Sequence, residues 1–189
     1  MPGMDGNLRE QNYLNPHALL RRLALTPGLW VGDFGVGAGG HFVTPTAKAV
    51  GTNGGVVMFD ILKSALSGAM SRAKLSGVGN YRAVWTNLEI YEGAPGVADN
   101  TLDAGLLINV LHQSTKHKDI LAEIQRMLKS GAKLLIADWQ PEVNTAIAPP
   151  AERRLADGYV EQLAKEVGFA PLERFEIKPY HWGLVLAKT

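Results

Sequence analysis

Two apolar patterns alternate along the chain. Short continuous runs recur at Leu29–Val31, Val56–Phe59, Tyr81–Trp85, Ala104–Ile108 and Leu134–Ala137. Runs of that length, without polar alternation, predict strands buried on both faces. Between them lie residues spaced for one face of a helix. The first such stripe is Ala18, Leu19, Leu20, Leu23 and Ala24, and Asn15-Pro16 before it reads as an N-cap followed by a proline at the first helical position. Further helices are expected over Gly40–Val50, along Ala65, Leu66, Ala69, Met70, Ala73 and Leu75, and along Ile120, Leu121, Ile124, Met127 and Leu128. Ser130-Gly131 is expected to close the last of these. A final stripe runs through Leu155, Tyr159, Val160, Leu163 and Val167, and the stretch from Pro171 to Lys188 has the spacing of a hairpin around Lys178-Pro179-Tyr180.

Strand–helix alternation of this kind predicts an α/β, Rossmann-like, doubly wound and mostly parallel sheet of seven strands, with the terminal hairpin antiparallel. Residues 1–14 read as a flexible arm, and 15–189 as a single domain.

Composition narrows the function. The chain has 189 residues, a formal net charge of +1 and no cysteine. Near-neutral charge gives no global case for nucleic acid or an anionic membrane as partner. Without cysteine there is no disulfide, no thiolate metal site and no cysteine nucleophile. Every apolar run is interrupted before the roughly 20 residues that span a bilayer, and the polar start of the chain does not read as a signal peptide, so a cytoplasmic location is expected.

The chemistry-bearing segment is Val31-Gly32-Asp33-Phe34-Gly35-Val36-Gly37-Ala38-Gly39-Gly40, at the end of the first strand. Glycines there let the backbone turn sharply against a ligand, beside the free N–H groups of the following helix. Asp60 ends the second strand, where an acid can accept hydrogen bonds from ribose hydroxyls. Gly35-x-Gly37-x-x-Gly40 fits a dinucleotide turn and Gly35-x-Gly37-x-Gly39 a methyltransferase one, so the glycines alone leave both open. Asp33 favours the second: its negative charge would repel a pyrophosphate and attract a ligand carrying an ammonium and a sulfonium.

With VGDFGVGAGG, the acid of VVMFD, the stretch LDAGLLINVLHQ and the segment LKSGAKLLIADW, the chain resembles class I S-adenosylmethionine-dependent methyltransferases. Within them it is most similar to the small-molecule group around the ubiquinone/menaquinone-biosynthesis and arsenite methyltransferases. The resemblance implies S-adenosyl-L-methionine as cofactor, its methionine end against Asp33, Phe34, Gly35, Gly37 and Gly39. It further implies Asp60 at the ribose, Ile61 and Leu62 beside the adenine, Asn87 and Leu88 at the adenine amino group and ring, and Asn109 near the sulfonium. His112 stands as the candidate catalytic base, against the reading of a histidine that only shapes the pocket. Trp139, after Asp138, is expected either to face the acceptor or to pad the core beneath the loop Pro141–Pro150. No metal site is expected.

The fourth strand is followed by Asn109-Val110-Leu111-His112, not by the Pro-Pro-aromatic motif of enzymes that methylate adenine or glutamine amino groups. Little chain is left over to form a lid. That implies a compact, small-molecule acceptor, or a partner subunit, as in a homodimer, completing the site. An RNA or protein methyltransferase of the same fold and a nicotinamide-binding oxidoreductase are the alternative readings.

Overall fold

The computed structural model describes residues 14–189, and the arm expected over 1–14 lies outside them except for Leu14, which packs half-buried against the core. The elements in order are α1 (Pro16–Leu23), β1 (Trp30–Phe34), α2 (Val43–Val50), β2 (Gly55–Asp60), α3 (Lys63–Leu75), β3 (Tyr81–Trp85), β4 (Leu102–Ile108), α4 (His117–Met127), β5 (Leu128–Trp139), α5 (Asp157–Glu166), β6 (Phe169–Ile177) and β7 (His181–Lys188). Single 3-10 turns occupy Leu111–Gln113 and Ala151–Arg153.

All seven strands join one sheet in the order β3-β2-β1-β4-β5-β7-β6. The first five pair in parallel, whereas β7 runs antiparallel to both β5 and β6. The parallel strands are apolar on both faces because both are covered. Val31, Leu106, Leu135 and Val185 meet α1 on one face, where α2 and α3 cover Val56 and Met58. Phe34, Leu107, Leu134 and Ile136 meet α4 and α5 on the other.

Asn15 caps α1, its side-chain oxygen accepting from the Ala18 N–H at 3.1 Å. The helix stops at Ala24, which adopts the left-handed conformation. The helix expected from Gly40 begins at Val43, so Pro45 falls in its first turn and introduces no break. Ser130-Gly131 does not terminate α4, because that helix ends at Met127 and the chain enters β5 with no loop. Between the pairs Leu102↔Leu128 and Ala104↔Lys133, β5 carries extra residues, and Ser130-Gly131 sits in this exposed bulge. Tyr159 is likewise not a core position: it lies exposed, edge-on to the His117 ring at 5.9 Å.

β1 is the switch point. The chain winds outward from it through β2 to β3, then returns to its other side as β4. The two crossovers leave in opposite directions, which opens a crevice above the carboxyl ends of β1 and β4.

Candidate active site

Two cavities fill that crevice and share Gly35, Gly37 and Gln113. The first, about 380 Å³, is lined by Asp33, His41, Phe42, Ile108 and Asn109, with Leu14 and Pro16 closing it from the N-terminal side. The second, about 440 Å³, runs from Asp60, Ile61 and Leu62 to Thr86, Asn87, Leu88 and Glu89. An elongated ligand lying across the glycine turn would occupy both. Neither lining includes a lysine or arginine, so a pyrophosphate would find no counter-charge there.

The turn is built from β2. The Phe59 carbonyl accepts from the N–H groups of Gly35 and Val36 at 2.8 and 3.0 Å. One oxygen of the Asp60 carboxylate accepts from the Gly37 N–H at 3.0 Å, and the other from the Leu62 N–H at 2.9 Å. A carboxylate has roughly four acceptor sites, so capacity remains for ribose hydroxyls. Gly35 adopts a left-handed φ of 78°, and a Cβ on it would lie 2.4 Å from Val110. The third left-handed glycine of the turn is Gly40, packed under Ala69 of α3, and not Gly39. The His41 ring fills the space over Gly39, which lines neither cavity. The conformational demand thus follows the 35-37-40 spacing even though the charges oppose a dinucleotide.

Asp33 and Phe34, adjacent on β1, point to opposite faces. The Phe34 ring is fully buried and stacks on Phe59 with centroids 4.9 Å apart, so its side chain is withdrawn from the cavity and only its main chain remains at the turn. Asp33 faces the first cavity at 4% exposure, with no hydrogen-bond or ion-pair partner among the described residues. Burial, reinforced by the neighbouring Asp60 charge, pushes its carboxyl up to about 7. An isolated buried carboxylate is a costly arrangement that a bound cation would relieve.

Asn109, past the end of β4, holds a left-handed φ of 57°, which asparagine tolerates better than most residues. Its side-chain oxygen is buried without a partner among the described residues, while its carbonyl accepts from the Gln113 amide at 2.7 Å. Asn87 and Leu88 line the second cavity. The Asn87 side-chain oxygen accepts from the Glu89 N–H at 3.0 Å, leaving its second lone pair and its amide N–H groups for a ligand. Ile61 and Leu62 are exposed at the cavity edge.

His112 lies on the 3-10 turn after β4. It borders a third cavity of about 370 Å³ with Trp139, Ile147, Ala148 and Pro149, joined to the first through Asn109 and Gln113. Its Nδ1 is 2.8 Å from an oxygen of Asp138, and the His112 main-chain N–H donates to the other oxygen at 3.3 Å. This pairing escaped the sequence reading, although strand register contains it. Ile108 is the partner of Ala137, so the residues just beyond them meet. Gln113, common to all three cavities, carried no sequence signal. Trp139 is 2% exposed, an edge of the cavity wall more than a free platform, and its ring lies 4.2 Å from that of His181.

His181 is a buried histidine with neither ring nitrogen partnered among the described residues. Burial lowers its pKa to about 4, against a smaller opposing pull from Asp138. An unfolded histidine takes up its proton near 6.5, so stability is lost as pH falls from about 6.5 toward 4. His181→Phe is expected to raise the melting temperature more at pH 5 than at pH 8; an equal shift at both values would remove His181 from the acid response.

The model of a methyltransferase domain matches residues 25–168. The chain belongs to the methyltransferase-domain family. No curated protein matches it in sequence. The methyltransferase domain superposes on a SAM-dependent methyltransferase from Aquifex aeolicus with a TM-score of 0.85 and 23% identity, over 99% of this chain and 100% of that one. An arsenic (III) S-adenosylmethionine methyltransferase from Chlamydomonas reinhardtii gives 0.66 and 24% identity over 85% of this chain and 63% of that one. Phosphoethanolamine N-methyltransferase 2 from Haemonchus contortus, in complex with S-adenosyl-L-methionine, gives 0.73 and 16% identity over 92% and 52%. Among the described residues no helix is long and apolar enough to cross a membrane, and no group of three His, Asp or Glu is placed to hold a metal.

Proposed function

We propose that this protein transfers a methyl group from S-adenosyl-L-methionine to a compact small molecule. The observation that carries the reading is Asp33, a buried carboxylate without a partner among the described residues, at a glycine turn whose lining holds no lysine or arginine. It suits an ammonium and a sulfonium and repels phosphate. In this reading the main chain of Gly35 and Gly37 and the Asp33 carboxylate hold the methionine end. Asp60 accepts from the ribose hydroxyls, Ile61, Leu62, Asn87 and Leu88 enclose the adenine, and Asn109 lies nearest the sulfonium. The cofactor supplies an activated methyl carbon, and the protein's part is largely to fix the line between acceptor and methyl.

The acceptor would enter beside His112, under the loop 141–150. With no cysteine in the chain, the thiolates that would hold a soft acceptor such as trivalent arsenic are missing. A reducing, cytoplasmic setting is compatible with the same composition.

Calorimetric titration with S-adenosylhomocysteine tests the cofactor. We expect saturable binding, and Asp60→Ala should weaken it roughly 10- to 100-fold, the worth of about one hydrogen bond to a charged group. No heat at millimolar ligand would exclude the reading.

A further inference from the structure

The sheet ends on β3 at one side and on β6 at the other, and the two edges are built differently. β6 carries Pro171 and a register break between Pro171 and Glu173. Its charges are matched: Glu173 pairs with Arg22, Arg174 with Asp157 and Glu161, and Glu176 with Lys178. Proline, a bulge and charges of both signs keep an edge from accepting another strand. β3 has no proline, and its register against β2 is unbroken from Tyr81 to Trp85. The Val56 N–H donates to the Asn80 carbonyl and the Thr86 N–H to the Asp60 carbonyl, both at 3.0 Å. By strand alternation Arg82 and Val84 also turn their main-chain groups to β2, and those of Tyr81, Ala83 and Trp85 point outward. No described residue pairs with these outward groups.

The charged side chains around this edge are of one sign. From Ile61 to Leu88 the chain holds Lys63, Arg72, Lys74 and Arg82 and no aspartate or glutamate. These cations are exposed, and none has an acidic partner among the described residues. Lys63, Met70 and Lys74 share one stripe of α3, and the Tyr81 hydroxyl donates to the Met70 carbonyl at 3.4 Å, so that stripe borders the edge. The Trp85 indole is 55% exposed yet fixed, its N–H donating to the Ile61 carbonyl at 2.8 Å and Lys63 Nζ lying 4.2 Å from the ring centre. Arg82 leaves the opposite face of β3, where it donates to the Gly96 carbonyl at 3.2 Å.

We propose that β3 is a docking edge for an acidic protein segment, which adds as an extended strand alongside Tyr81–Trp85. The outward N–H and C=O groups alternate as those of another polypeptide do, so main-chain pairing sets the register. Lys63, Lys74 and Arg82 then select glutamate and aspartate side chains. Tyr81 and Trp85, on either side of Ala83, give the added strand aromatic neighbours on the α3 face. A second copy of this chain is disfavoured, because β3 paired with itself would set the cations of one copy against those of the other. A nucleic acid strand would satisfy the cations, but the outward carbonyls of Tyr81, Ala83 and Trp85 would face its phosphates and find no donor there. The inference does not depend on the methyl acceptor.

The test titrates the full chain with a short fluorescent peptide of alternating glutamate and valine. Its lysine–valine counterpart and an oligouridylate of the same net charge as the acidic peptide serve as the other probes. The acidic peptide is expected to saturate below millimolar concentration, to bind at least tenfold tighter than either other probe, and to weaken as salt is raised. Amide hydrogen exchange at Tyr81, Ala83 and Trp85 should be fast in the free protein and slow with the acidic peptide bound. Ala83→Pro removes one outward N–H and leaves the ladder to β2 intact, so it should cut binding at least tenfold with little change in melting temperature. Lys63→Glu with Lys74→Glu should do the same without touching the main chain. The inference is overturned if the acidic peptide does not saturate at millimolar concentration, or if either other probe binds as tightly. It is equally overturned if the charge-reversed variant or a folded Ala83→Pro variant retains binding within threefold. Slow exchange of the three amides in the free protein would also overturn it, since the edge would then be covered by a second copy or by residues 1–13.

Discussion

Asp33→Asn is expected to weaken S-adenosylhomocysteine binding on the order of 100-fold, the loss of a charge-assisted contact to the ligand ammonium. The wild type should also show a pH dependence that the variant lacks. With its carboxyl at about 7 in the free protein, Asp33 is largely protonated at pH 6 and must ionise before it can pair with a cation. Affinity should therefore climb with pH and level off above about 7. Stability of the free protein moves oppositely. Because the folded pKa lies above the ordinary 3.8, the stability linked to Asp33 is complete below about pH 4 and is lost as pH rises through about 7. The loss reaches roughly 4 kcal/mol at most, and Asp33→Asn should recover part of it. Calorimetry at pH 6 and pH 8 gives the affinities, and thermal unfolding without ligand gives the stability. Parallel pH profiles for wild type and variant would show that Asp33 does not sense the cation.

Arg126→Ala should be the most destabilising change. Arg126 and Glu123, on α4, are 5% and 0% exposed and joined by two hydrogen bonds of 2.8 and 2.9 Å. Glu123 also accepts from the Glu92 and Ala94 N–H groups, and Arg126 donates to the Val97 carbonyl and to Asp99. The Glu123 hydrogen bonds come first, and Asp99 second, in keeping the guanidinium protonated. Removing the arginine strands a buried carboxylate, at about 3–5 kcal/mol, or roughly 10 °C for a chain of this length. Glu123→Leu with Arg126→Met should lose much less, since neither charge is then left alone. Melting by circular dichroism checks both; a shift under 3 °C for Arg126→Ala would mean that water or Asp99 compensates. The same network holds the irregular connection from β3 to β4, which carries Asn87 and Leu88.

That connection illustrates what a single sequence conveys. Continuous apolar runs such as Val56–Phe59 betray a strand covered on both sides, and five of the strands could be read that way. What decides local endings is three-dimensional. Ser130-Gly131 has the chemistry of a helix stop but sits in a bulge, because the pairing of β5 with β4 extends back to Leu128. In the site, the order of acid, glycines and acid was legible, whereas the use made of each was not. Asp60 pins the turn, Phe34 turns into the core, Gly40 and not Gly39 takes the left-handed conformation, and Asp138 meets His112 across two strands. Each depends on register or on which face a side chain takes, and neither is written in local spacing.

The strand order also bears on how the chain assembles as it is synthesised. β6 precedes β7 in the chain, yet its only strand partner among the described residues is β7, which lies between it and β5. Until β7 is made, β6 has nothing to pair with, and β5 presents an open apolar edge along Leu134–Ala137. Without β7 the sheet would therefore have two unsatisfied edges, a configuration prone to association between chains. Lying between them, β7 covers both edges at once.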